Sequence, residues 1–119
     1  MMRALFLLFF VIIAAPIQAQ QVSSAPGAVL RGLDKLDGSV TDIELAVGEN
    51  RNFGRLNITL GDCRYPKGNP AGNAFAFLTI RENGKDDPVF QGWMIAAAPA
   101  LDALDNARYD VWVLRCMTE

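Results

Sequence analysis

Few residues in this chain have the types and spacing that chemistry needs. It holds two cysteines, Cys63 and Cys116, thirteen carboxylates and no histidine. Without histidine there is no Ser-His-Asp or Cys-His pair, no imidazole base, and no zinc site of the common imidazole-containing kinds. Two thiols cannot build a four-thiolate site. Serine is scarce: Ser23 and Ser24 precede a Pro-Gly pair, and Ser39 follows Gly38 in a turn signal. A serine–lysine hydrolase made from Ser39 and Lys35 would therefore sit on a surface hairpin. No cofactor, metal or catalytic residue is expected.

Carboxylate chemistry is the enzymatic route that survives. Asp86-Asp87 and the group Asp34, Asp37 and Asp42 lie close in sequence. Neither has the alternating acidic or amide ligands before a Gly that a calcium loop uses, so both read as solvated surface. Asp102 and Asp105 suit the ends of a short helix better than an acid/base pair. Asp110 stands apart between Tyr109 and Val111, on the parity of Trp112, Leu114 and Cys116. If that face is buried, the carboxylate needs hydrogen-bond donors, which makes Asp110 a candidate structural tether.

The compartment follows from the first residues. Met1-Met2-Arg3 is a short basic start, Ala4–Ala15 an unbroken apolar run, Pro16 a break, and Ile17-Gln18-Ala19 a small-residue finish. This is the three-part pattern of a secretory signal peptide over residues 1–19, cleaved after Ala19. The run is short of the roughly 20 residues that span a bilayer, and Gln20 rather than Cys follows the cut, which argues against a lipid anchor. No stable membrane insertion is expected after cleavage. In an exported chain, two cysteines have one intramolecular pairing, a Cys63–Cys116 disulfide. Closing that loop is worth about 4 kcal/mol by chain entropy. A redox pair would want a C-x-x-C spacing, which is absent.

Arg3 leaves with the leader, so 10 basic face 13 acidic residues, net −3. Nucleic-acid binding wants a basic stripe, and none is present; nor is there a polybasic patch for a membrane surface. The remaining length fits one domain.

Residues 20–27 (QQVSSAPG) read as a flexible N-terminal arm, with a single β-rich domain over 28–119. Val29–Leu36 is strand-like, and Asp37-Gly38 is a two-residue hairpin signal. Ser39–Val47 alternates, with Ile43, Leu45 and Val47 opposite Asp42 and Glu44. Leu56, Ile58 and Leu60 alternate with Asn57 and Thr59, which puts Cys63 on the wet parity unless Gly61 hosts a bulge. Residues 66–73 are turn chemistry. Ala74–Arg81 is apolar on both faces, as a central strand would be. Asn83-Gly84 signals a second hairpin, and the Gly beside Trp93 suggests a bend or a close approach by another backbone. Pro99, Leu101 and Leu104 give Ala96–Asp105 a helical character, and Tyr109–Cys116 closes the chain as a strand. Trp93, Trp112, Phe75, Phe77 and Phe90 are expected chiefly in the core. About six strands at short spacing make an all-β fold, a small antiparallel sandwich or closed barrel with one short helix and one disulfide.

Several blocks together carry a resemblance: Leu30–Lys35, Phe53–Leu56, Asp62–Tyr65, Gly92–Met94, Pro99–Leu101 and Tyr109–Cys116. Over nearly all of residues 28–116 the chain resembles a family of small exported bacterial proteins, domain of unknown function 2155. The resemblance implies a Gram-negative envelope protein with a cysteine pair. It brings no activity, cofactor or catalytic residue.

The expected function is a non-enzymatic periplasmic binding module whose partner is another envelope protein. Its candidate surface is Trp93, Met94, Leu101 and Tyr109, around the Pro-interrupted excursion before the last strand. A barrel carrying a hydrophobic ligand is the second expectation, and a carboxylate-dependent hydrolase the third.

Overall fold

In β3 (Val40–Ala46), Ile43 and Leu45 are buried while Asp42 and Glu44 are exposed, so sequence alternation becomes one dry and one wet face. The same rule organises the other strands. The computed structural model describes residues 21–118; the expected leader over 1–19 lies outside them. Before β3 run β1 (Val22–Ser24) and β2 (Gly27–Asp34). After it come β4 (Asn50–Phe53), β5 (Leu56–Pro66), β6 (Phe75–Glu82), β7 (Pro88–Ile95) and β8 (Tyr109–Met117).

All pairings are antiparallel. A larger sheet has the order β1-β5-β6-β7, with β4 beside the first half of β5 and β1 beside its end. A smaller sheet has the order β3-β2-β8. The two face each other as a sandwich and do not close into a barrel. Between them Leu30, Leu45 and Val113 meet Leu56, Ile58, Leu60, Leu78 and Ile80, all essentially without exposure. The expected barrel carrier thus loses its enclosing wall.

Two bulges decide how the sheets face each other. In β5, Leu60 pairs with Leu78 and Asp62 with Phe77, so Gly61 is an extra residue. In β8, Arg115 pairs with Val29 and Val113 with Leu30, so Leu114 is extra. Each insertion shifts the period-two alternation by one. Cys63 therefore joins the face of Leu60, and Cys116 joins that of Tyr109, Val111 and Val113. Both cysteines are buried, and they form the expected disulfide between β5 and β8 with Cα atoms 5.8 Å apart.

Four expectations are corrected. Ala96–Asp105 is a run of turns, not a helix. Ten residues scarcely cover the cost of helix nucleation, and the two leucines do not share a face: Leu104 is buried between the sheets while Leu101 is 76% exposed. Val22–Ser24, placed in a flexible arm, pairs with Arg64–Pro66. Backbone pairing onto the long end of β5 needs no side-chain pattern, so composition hid it. The Asp37-Gly38 hairpin is longer than two residues: the Asp34 amide donates to the Ser39 carbonyl, and Gly38 takes a left-handed φ of 75°. Finally, of the five aromatics expected chiefly in the core, Phe90 alone is buried; Phe75, Phe77, Trp93 and Trp112 are half-exposed.

Replacing both cysteines with serine should lower stability by about 2–5 kcal/mol, read as a lower urea midpoint at equilibrium. Deleting Gly61 tests the bulge itself. It returns Cys63 to the wet parity, so thiol titration of the folded chain should find two reactive thiols in place of none. A deletion variant that keeps its bridge would show that the bulge does not set the parity.

Candidate functional site

The outer face of the larger sheet is built by cross-strand register. Arg64 on β5 pairs with Phe75 on β6, which pairs with Ile95 on β7. One step along, Asp62 pairs with Phe77, and Phe77 with Trp93. The Gly61 bulge that turns Cys63 inward also turns Asp62 and Arg64 outward, beside the aromatics. Because Ala76, Leu78 and Ile80 fill the inner side of β6, the alternating Phe75 and Phe77 must point away from the core.

These side chains hold one another. Phe77 meets Trp93 edge-on, with centroids 5.4 Å apart and planes at 66°, an arrangement worth about 0.5–1.5 kcal/mol beyond area burial. The Arg64 guanidinium lies 4.9 Å over the indole, which adds about 0.5–1 kcal/mol at an exposed site. Its Nε donates to Asp62 Oδ2 at 2.8 Å. An ion pair this exposed contributes little stability by itself; its consequence is to fix the guanidinium in place. Val22, Arg64, Phe75 and Trp93 line a shallow depression of about 240 Å³. The result is a pre-positioned apolar platform with one cation on its rim.

The candidate surface residues separate in space. Trp93 is on this face. Met94, the next residue of β7, points inward and is buried. Tyr109 is buried too: its ring meets Phe53 edge-on at 5.4 Å, and its hydroxyl accepts from the Arg55 amide at 3.3 Å. Gly54, at a φ of 56°, leaves the space that the tyrosine fills. Neither Met94 nor Tyr109 belongs to an accessible surface. Leu101 is exposed on the connection before β8, outside the lining of the depression. Phe75, Phe77, Arg64 and Val22 were missed as site residues. The two-sided apolarity of Ala74–Arg81 was the signal, but sequence alone could not show that one side was wet.

Asp110 is half-exposed opposite Leu33, so it is not the buried tether. The Leu114 bulge breaks the parity that had linked Asp110 with Cys116. Asp34 is the buried carboxylate instead. Its Oδ1 accepts from Arg108 Nε at 3.1 Å and from the Leu36 amide at 3.0 Å, and its Oδ2 accepts from Arg108 Nη2 at 3.0 Å. Asn106 Oδ1 accepts from the Arg108 and Tyr109 amides, turning the connection into β8. The Arg108 hydrogen bonds hold the Asp34 carboxyl below the usual carboxylate range, helped by the Leu36 amide and opposed by desolvation.

The remaining carboxylates do not gather. Among the described residues no group of three acidic or thiol side chains is placed to hold a metal ion. No described helix is long and apolar enough to cross a membrane, which says nothing about strands.

Residues 28–116 match the family model described as "Uncharacterized protein conserved in bacteria (DUF2155)". The chain belongs to this family. It is also 29% identical over 87 residues to "Uncharacterized protein RP359" of Rickettsia prowazekii (strain Madrid E), a match covering 71% of this chain and 56% of the relative. The chain thus spans little more than half of that relative's length. No solved structure matches it. Both cysteines, Arg64, Phe75, Phe77 and Trp93 fall within the DUF2155 match, whereas Val22 precedes it.

The depressed Asp34 pKa gives a pH test with a defined sign. A carboxyl whose folded pKa lies below its unfolded value of about 3.9 stabilises above that value and loses the contribution as pH falls through the folded pKa. Asp34→Asn should therefore destabilise the chain by a constant amount above about pH 5, with the difference from wild type shrinking below about pH 4. Urea unfolding at a series of pH values measures it, and a gap that stays constant through acid would refute the assignment.

Proposed function

We propose that this chain is a non-enzymatic binding module of the bacterial cell envelope, periplasmic once its leader is removed, and that the outer face around Trp93 receives another envelope protein. The observation that carries this reading is the placement of its aromatics. Mostly aliphatic side chains, with Phe90 and Tyr109, fill the space between the sheets, while Phe75, Phe77 and Trp93 stand half-exposed on the wet face, braced by Arg64. Solvating large apolar rings costs free energy that burial in a partner recovers. Trp and Arg are also the residue types that concentrate binding energy at the centres of interfaces.

The leader pattern and the disulfide support the compartment together. A buried bridge persists where the surroundings are oxidising, and the leader pattern supplies a route there. The lack of histidine and the dispersed carboxylates support a module that binds without turnover.

The test uses wild type, Trp93→Ala and Arg64→Ala chains expressed with the leader, with partner recovery quantified after affinity isolation. Trp93→Ala should reduce recovery about 30-fold or more, as loss of an anchor worth about 2 kcal/mol implies. Arg64→Ala should reduce it less, and circular dichroism should show both variants folded. Equal recovery by the folded Trp93 variant would overturn the assignment of the face. Release of the processed chain by osmotic shock checks the compartment.

A further inference from the structure

An open sandwich keeps edge strands, and each edge displays unpaired backbone N–H and C=O groups to any extended chain that reaches it. The edges here are not equally guarded. β3 exposes Asp42 and Glu44. β8 carries Asp110, Arg115 and the Leu114 bulge, and Pro99, Ala100 and Ala103 flank it. β1 and β4 are only 3 and 4 residues long. Charge, bulges and short length are the usual devices that discourage edge pairing.

β7 lacks most of them. From Pro88 to Leu101 the chain has no charged residue. Pro88 and the extra residue Val89 blunt only the start of the strand. Phe90–Met94 then runs in unbroken register with β6, and among the described residues no backbone hydrogen bond joins it to the 96–108 connection. Gly92 sits at its middle because the Asp102 carboxylate occupies the place of a side chain, 2.8 Å from where a Cβ would lie. That nearby negative charge disfavours an acidic chain, while the Arg64 guanidinium over the Trp93 indole disfavours a basic one on the outer side.

Resting on the binding-module reading, we infer that β7 accepts an extended, uncharged, β-prone segment of the partner protein as an added strand along Phe90–Met94. Alternate side chains of that segment lie beside Trp93. Main-chain hydrogen bonds supply the pairing and the aromatic face supplies the side-chain selection. A second copy of this chain fits less well. Two folded bodies joined along five residues would bury far less than the roughly 1,200 Å² that a specific interface needs, whereas a flexible segment can conform to the edge.

The experiment selects heptapeptides from a displayed random library against the purified chain, then follows amide exchange of the complex. Selected peptides should be uncharged, rich in β-branched residues and free of proline. They should slow exchange at alternate amides within 90–94 by tenfold or more. Gln91→Lys, which places a charge on an exposed edge position, should abolish both binding and protection, while Glu44→Lys, a charge change on the β3 edge of the other sheet, should retain both. Peptides that bind without protecting 90–94 overturn the edge assignment and leave the platform reading standing. Absence of any selected peptide, or sedimentation of the chain as a β7-paired dimer, also overturns it.

Discussion

Each cysteine-bearing strand of this protein contains an inserted residue that reverses its alternation, and the rest of the structure depends on those two reversals. A strand has only two sides, so one extra residue exchanges every side chain beyond it. Gly61 does this in β5 and Leu114 in β8. Together they bring Cys63 and Cys116 to facing positions inside the sandwich, where the bridge forms. In β5 the same reversal turns Asp62 and Arg64 out onto the aromatic face. A covalent tie between the sheets and the aromatic outer face of one of them thus have a common origin.

The Gly61 position shows why the solution is local. A side chain there would meet the Phe77 ring at 3.0 Å, so the smallest residue permits both the bulge and the aromatic beside it. Phe77 in turn braces Trp93, and Arg64 covers the indole from the other strand. None of these contacts is strong alone. Their effect is to fix the shape of an exposed surface, so that the docking proposed there would cost less side-chain entropy.

The second anchoring point is polar. Asp34 ends β2, Arg108 precedes β8, and their paired hydrogen bonds join two strands that are adjacent in the sheet but 74 residues apart in the chain. The bridge ties one sheet to the other, while the ion pair locks the return of the chain into the smaller sheet. Between these ties runs the 96–108 connection, which uses Leu104 to fill the core and needs no helix.

Much of the fold was legible because period two is written in residue order: Ile43 and Leu45, then Leu56, Ile58 and Leu60, announced strands with one dry face. Cysteine count and leader pattern made the bridge a strong expectation, and the conflict over the parity of Cys63 pointed to Gly61. Other features depended on neighbours distant in the chain. No local signal told that Tyr109 and Met94 turn inward while Phe75 and Phe77 turn out, because that choice rests on which side of each strand the other sheet covers. The Leu114 insertion had no glycine to mark it, so the parity linking Asp110 with Cys116 did not hold, and Asp34, read from the sequence as solvated surface, is the buried carboxylate. The sequence by itself determined an antiparallel β architecture with one disulfide, since alternation and composition are local properties of the chain. Only tertiary structure decided which aromatics remain in water and which carboxylate is buried, because sidedness is a property of packing between sheets.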